Sequence, residues 1–409
     1  MTASVAMDRR FACLNGLRAL AATAVITTHV GFQTGTTVRG GATGAVLSRL
    51  DFGVALFFVL SGFLLARPYV LTAATGTARP ATGVYLWRRA LRILPTYWLA
   101  VVAAFVLVQG NSALPAGTWL RQLTLTQIYR HDLARVPALT QMWSLCVEVS
   151  FYLVLPGLAR LITHRLCGGG WYPRRLLAAA GAMILVAPAW LVAIRLADQS
   201  TAAMLNAWLP AYLSWFGAGL ALAVLSVACE TRRWPPAVRL DRLARETGTW
   251  WLGAAALFIV ASTPVAGPRL LDFPSAGAAV TKNLLYAAAA TCLVLPLVLG
   301  GSGGTIRRVL SHRTANYFGE LSYAMFCIHL IVIELVYSGL DTGPFHGRFG
   351  TVWLLTVLGT LALSAAVYRW LESPLRRFRN PPRTWRIGRA AGSAASAATV
   401  APSETSAAS

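Results

Sequence analysis

Ten apolar stretches dominate the chain, at 11–31, 51–66, 93–109, 141–161, 176–196, 206–228, 249–264, 279–299, 319–338 and 350–371. A helix rising about 1.5 Å per residue needs about 20 residues to cross a ~30 Å hydrocarbon core. Most of the stretches meet that length, and 51–66 and 249–264 fall short of it. Of the 409 residues 56% are hydrophobic and only 12% charged, yet the formal net charge is +22. A soluble domain has about a quarter of its residues charged, with signs nearly balanced. Disorder is excluded by the apolar fraction. Nucleic-acid binding wants a basic face on a soluble domain, whereas these cations are dispersed in short clusters between apolar runs. The expected fold is all-α, a polytopic membrane bundle of about ten transmembrane helices.

The loops supply an orientation. Lys282 is the single lysine among 36 basic residues. With Arg9 and Arg10 holding the N-terminus in the cytoplasm, about 26 basic residues fall on inner segments and about 9 on outer ones, with Arg18 inside the first span. That is a strong positive-inside bias. It predicts a multi-pass plasma-membrane protein with both termini cytoplasmic, most of its charge facing anionic headgroups or an anionic ligand. Residues 1–10 form a short cytoplasmic N-terminus and 11–380 one membrane domain. Residues 381–409, which turn to Ala, Ser, Gly and Thr after Arg389, are predicted to be a disordered cytoplasmic tail. Asn15 and Arg18 make the first run a poor signal peptide. The six cysteines are widely separated and lack metal-binding spacing, so they read as packing residues and no metal site is expected.

An ionisable side chain inside a membrane is costly and marks a candidate site. The first span holds Arg18 and His29, eleven residues apart and so on one helical stripe, separated by ~16 Å of rise. Each has a plain alternative, a snorkelling arginine and a satisfied core histidine; sharing a stripe makes both less easily dismissed. Arg89 and Arg92 lie one turn apart where the third span enters, a geometry that can grip phosphates, although a basic cluster there also sets topology. Asp51 opens the second span, followed by Phe57, Phe58, Ser61 and Gly62; the last two suit close helix packing or a narrow passage. The fourth span carries Trp143, Glu148 and Tyr152, and its direction puts Glu148 at a depth similar to His29, the makings of a general-base pair. An aromatic beside an acid can also hold a sugar face. Ser322 and His329 lie in the ninth span, and Glu372 ends the tenth, where it can pair with inner arginines. No phosphate-binding loop, nucleophile elbow or zinc motif is present.

Taken together these motifs resemble the acyltransferase-3 family of membrane acyltransferases. Gly16 to Ala22 with His29 is similar to the family's first span, Leu56 to Phe63 to its second, and Arg89 to Arg92 to its R-x-x-R element. Trp143-Ser144-Leu145 with Glu148, Phe151 and Tyr152, then Leu321 to His329, then Glu372-Ser373-Pro374 follow in family order. The resemblance covers about residues 11 to 380. It implies transfer of an acyl group, commonly acetyl, from acyl-CoA as co-substrate to a hydroxyl of a carbohydrate, glycolipid or macrolide-type acceptor. It implies His29 as catalytic and Arg18, Arg89 and Arg92 as acyl-CoA-binding. Glu148 is the expected partner of His29; Asp51, Ser61, Trp143, Tyr152, Ser322 and His329 are candidates to bind or orient the acceptor. The family's acid two residues before the Phe-Phe pair is replaced by Ala55, and Asp51, one turn earlier, is the candidate substitute. Whether His29 acts as a base or carries the acyl group is open at this level. The rival reading is a transporter or flippase, which calls for matched repeats with interrupted helices; the two halves show no convincing similarity.

Overall fold

The computed structural model describes residues 11–130, 136–231, 234–269, 273–301 and 304–379. The expected N-terminal segment 1–10 and tail 381–409 lie outside them. Among the described residues the chain is helical and has no strand. Ten long helices match the ten apolar stretches: α1 Cys13–Gln33, α2 Phe52–Thr75, α3 Thr82–Leu107, α4 Trp143–Arg160, α5 Pro173–Ala193, α6 Leu213–Thr231, α7 Thr247–Ala261, α8 Ala276–Val298, α9 Arg313–Gly339 and α10 Phe349–Val367. Eight of them, with their helical extensions, are long and apolar enough to cross a membrane. The others are α1, whose apolar run is interrupted by Asn15, Arg18 and His29, and α7, of 15 residues.

Local chemistry sets the ends. Proline opens α5, where its missing N–H costs nothing. The Ser275 hydroxyl caps α8 by accepting from Ala278 N at 3.2 Å. Gly76, with φ +70°, ends α2 in the left-handed region that favours glycine. This second helix is longer than the expected 51–66: Arg67 halts the apolar run, but the helix continues through Pro68 to Thr75. Arg67 is buried against Glu230 of α6 in an ion pair, with its guanidinium over the Phe11 ring.

Glycines bring the central helices together. A Cβ on Gly62 would meet Phe216 O, and one on Gly219 would meet Val59 O and Gly62 Cα, so α2 and α6 cross backbone to backbone. Gly319 of α9 approaches Asn15 O of α1 in the same way. The α1, α2, α6 and α9 helices thus form the interior of the bundle. Leu153, Leu185, Leu252 and Leu358 remain exposed on outer helices, as a lipid-facing surface requires.

One connection shapes the interior. The segment between α3 and α4 turns back into the bundle, so that the Gln141 amide donates to Cys327 O of α9 at 3.2 Å. Cys327 lies fourteen residues into α9, about 21 Å along its axis. The α4 helix therefore begins deep within the bundle, and each turn of it lies closer to the starting end of α1 than chain position alone implies.

Candidate active site

Along α1 the sequence places Arg18 and His29 on one stripe, and the packing builds a polar group around each. The arginine end comprises Arg18, Arg89, Arg92 and Glu148. Arg92, Glu148 and Arg89 are the charged groups within electrostatic reach of Arg18. Arg92 is paired: its guanidinium lies 3.1 Å from Glu372, whose other oxygen accepts from the Thr96 hydroxyl at 3.1 Å. Glu372 thus does meet an arginine, that of the third helix. Arg89 sits over the Tyr152 ring, 6.0 Å from its centroid. Among the described residues neither Arg18 nor Arg89 has a hydrogen-bond or ion-pair partner, and Arg89 Nε is fully enclosed. Glu148 lies within electrostatic reach but forms no ion pair with either among the described residues, and two guanidinium groups without a direct partner are costly in a membrane interior, a cost that a further anion would offset.

Glu148 stands with these arginines and not beside His29, which corrects the expected match in depth. Its Oε1 accepts from the hydroxyls of Ser61 and Tyr152, the latter at 2.7 Å, while Oε2 has no hydrogen-bond partner among the described residues. The re-entrant start of α4 is the reason for the shift. Ser61 and Tyr152 are therefore spent on orienting Glu148. Ser322 is likewise removed from the candidate acceptor side: its hydroxyl donates to Gly319 O at 2.7 Å, at the α1–α9 crossing.

At the other end His29 meets His329, their ring centroids 5.2 Å apart. His329 is completely buried. Its Nδ1 lies 2.8 Å from Phe326 O and 3.2 Å from Met325 O. Asp51 is the charged group nearest in influence to His29. It is already engaged, accepting from Lys282 Nζ at 2.6 Å and from the Tyr286 hydroxyl at 2.5 Å. Ala55 is buried and carries no acid to the site. Trp143 packs on Tyr212 at 5.0 Å, and Tyr212 continues to Trp215 at 5.0 Å and Phe58 at 5.8 Å, an aromatic wall on the same side as Asp51. Sequence reasoning missed Lys282 and Tyr286 as the partners of Asp51. The signal was present, since Lys282 is the one lysine and lies inside an apolar span.

The family model described as Acyltransferase domain, of acyltransferase family 3, matches residues 11–369. The chain is similar to O-acetyltransferase OatA of Staphylococcus aureus, 22% identical over 395 residues, covering 89% of this chain and 57% of that protein. The chain therefore spans little more than half the length of that relative. It is also similar to Nodulation protein 10 of Rhizobium leguminosarum bv. viciae, 24% identical over 355 residues, covering 80% of this chain and 82% of the relative. No solved structure matches.

Proposed function

The chain belongs to the acyltransferase-3 family, and from that premise we propose that it is a multi-pass membrane O-acyltransferase. In this reading it moves an acyl group, commonly acetyl, from acyl-CoA to an acceptor hydroxyl. The observation that carries the reading is the polar column along α1: unpaired Arg18 and Arg89 at one end, His29 at the other, separated by ~16 Å of helix. The positive-inside pattern supports an arginine end that faces the cytoplasm of a plasma-membrane protein.

Coenzyme A is a polyanion on a long, flexible arm. Arg18 and Arg89 grip its phosphates, with Arg92 held beside them by Glu372. The arm runs toward His29 and presents the thioester carbonyl there. His29 takes the proton of the acceptor hydroxyl as its oxygen attacks that carbonyl; the C–S bond breaks, and the proton passes to the departing thiolate. Free CoA then never leaves the cytoplasmic side. A carbohydrate-type acceptor suits the aromatic wall of Trp143 and Tyr212 next to the polar Asp51 and Lys282. The O-acetyltransferase name of the Staphylococcus relative supports acetyl transfer to oxygen.

The test is to supply purified protein in nanodiscs with labelled acetyl-CoA and a panel of glycan, glycolipid and macrolide acceptors. Wild type should transfer label to one class, and His29→Ala should abolish transfer while folding normally. Full activity in the variant would remove His29 from the mechanism.

A further inference from the structure

Resting on the proposed role of His29, we infer that His329 is a positioning residue that accepts a hydrogen bond from the His29 ring and fixes which nitrogen faces the acceptor hydroxyl. The inference follows from hydrogen-bond polarity. Phe326 O and Met325 O can only accept, so Nδ1 of His329, at 2.8 and 3.2 Å from them, must carry the proton. A neutral imidazole has one proton on its nitrogens, which leaves a lone pair on Nε2. That atom is enclosed and has no partner among the described residues, on a side chain with 0% exposure. A buried acceptor left in this state is costly.

The donor it lacks is close by. The ring centroids of His29 and His329 stand 5.2 Å apart at 46°, a separation at which a nitrogen of one ring reaches hydrogen-bonding range of the other after a small side-chain rotation. His29 forms no hydrogen bond of its own among the described residues, so its N–H is available. Once that N–H is given to His329 Nε2, the second nitrogen of His29 carries the lone pair, the form a base needs. His329 is itself clamped by the α9 backbone one turn earlier and cannot turn away. It thus works as a fixed acceptor, and Asp51, committed to Lys282 and Tyr286, is not required to orient the base.

The test compares His329→Gln, His329→Asn and His329→Phe in the acetyl-transfer assay. The Gln amide oxygen can reach the position of Nε2; the shorter Asn oxygen stops near Nδ1; Phe fills the volume without an acceptor. Loss of orientation should lower kcat about 100-fold in the Phe and Asn variants. The KM for acetyl-CoA should stay within threefold, because the arginine end is untouched. The Gln variant should recover at least tenfold over Asn. If Phe does not fold, the Gln and Asn pair decides alone. Equal kcat in Gln and Asn, or near-normal kcat in Phe, overturns the inference. In either of those cases an inactive His29→Ala would still support the proposed function, whereas an active one would overturn that function itself.

Discussion

The two arginines of the Arg89 to Arg92 element should behave oppositely when removed. Arg92 is 16% exposed and its partner Glu372 7%, with 3.1 Å between nitrogen and oxygen. Arg92→Met leaves the Glu372 carboxylate enclosed with only the Thr96 hydroxyl, and breaking such a pair from one side costs about 3–5 kcal/mol. Arg89 has no carboxylate to abandon. Arg89→Met removes a half-buried cation that has no ion-pair partner among the described residues, so stability should hold or rise. Its cost falls on the donor: one charge-assisted contact to a phosphate contributes about 1.5–3 kcal/mol, or about 10- to 150-fold in KM for acetyl-CoA. Thermal unfolding in nanodiscs separates the two, with Arg92→Met melting several degrees lower and Arg89→Met unchanged. Adding Glu372→Leu to Arg92→Met should restore the melting temperature, since an apolar pair of similar volume replaces a buried ion pair at little cost. The reasoning is refuted if Arg89→Met destabilises as much as Arg92→Met while leaving the acetyl-CoA KM within twofold.

Three further outcomes are expected. Gly219→Val drives side-chain atoms into the Val59 and Phe63 backbone of α2, where neither helix can yield, so the purified protein should be destabilised by about 3 kcal/mol or more, read as a large drop in melting temperature. Glu148→Gln keeps an acceptor for Ser61 and Tyr152 and should fold with kcat within about tenfold of wild type, while Glu148→Leu strands both hydroxyls and loses about 1–3 kcal/mol each at most; a kcat collapse in the Gln variant would return Glu148 to the reacting centre. Asp198, outside the spans, caps the helix Gln199–Asn206, and the hydroxyls of Ser200 and Thr201 hold its carboxyl below the ordinary value near 3.8. A depressed carboxylate stabilises above its unfolded pKa and loses that contribution as pH falls through the folded value, so amide protection of 199–206 should weaken below about pH 4 in wild type and show no such step in Asp198→Asn.

Much of the fold was legible because apolar length is a strong signal: every one of the ten stretches became a helix. Boundaries were less so. Arg67 ended an apolar run but not its helix, since a charge closes a hydropathy window and leaves backbone hydrogen bonds intact. Arg18 and His29 on one stripe followed from helix geometry alone. The depth of Glu148 did not, because it depends on a loop turning inward, and loop paths carry no periodicity to read. Asp51 could be named as an acid near the site, but its commitment to Lys282 and Tyr286 joins residues 231 and 235 positions apart. The free lone pair of His329 needed the backbone carbonyls beside it, which no side-chain pattern reveals.

A polar column through a bilayer is also a hazard to the cell, since water and hydronium follow the same polar groups that a substrate does. Arg18, Arg89 and Arg92, set against the carboxylates of Glu148 and Glu372, leave the arginine end of the column with a net positive charge. Fixed cations of this kind turn back protons and metal cations in water-conducting pores, and in a low-dielectric interior their repulsion is amplified. The charges proposed to receive the coenzyme would then serve a second end, keeping the resting enzyme from short-circuiting the ion gradients of its own membrane.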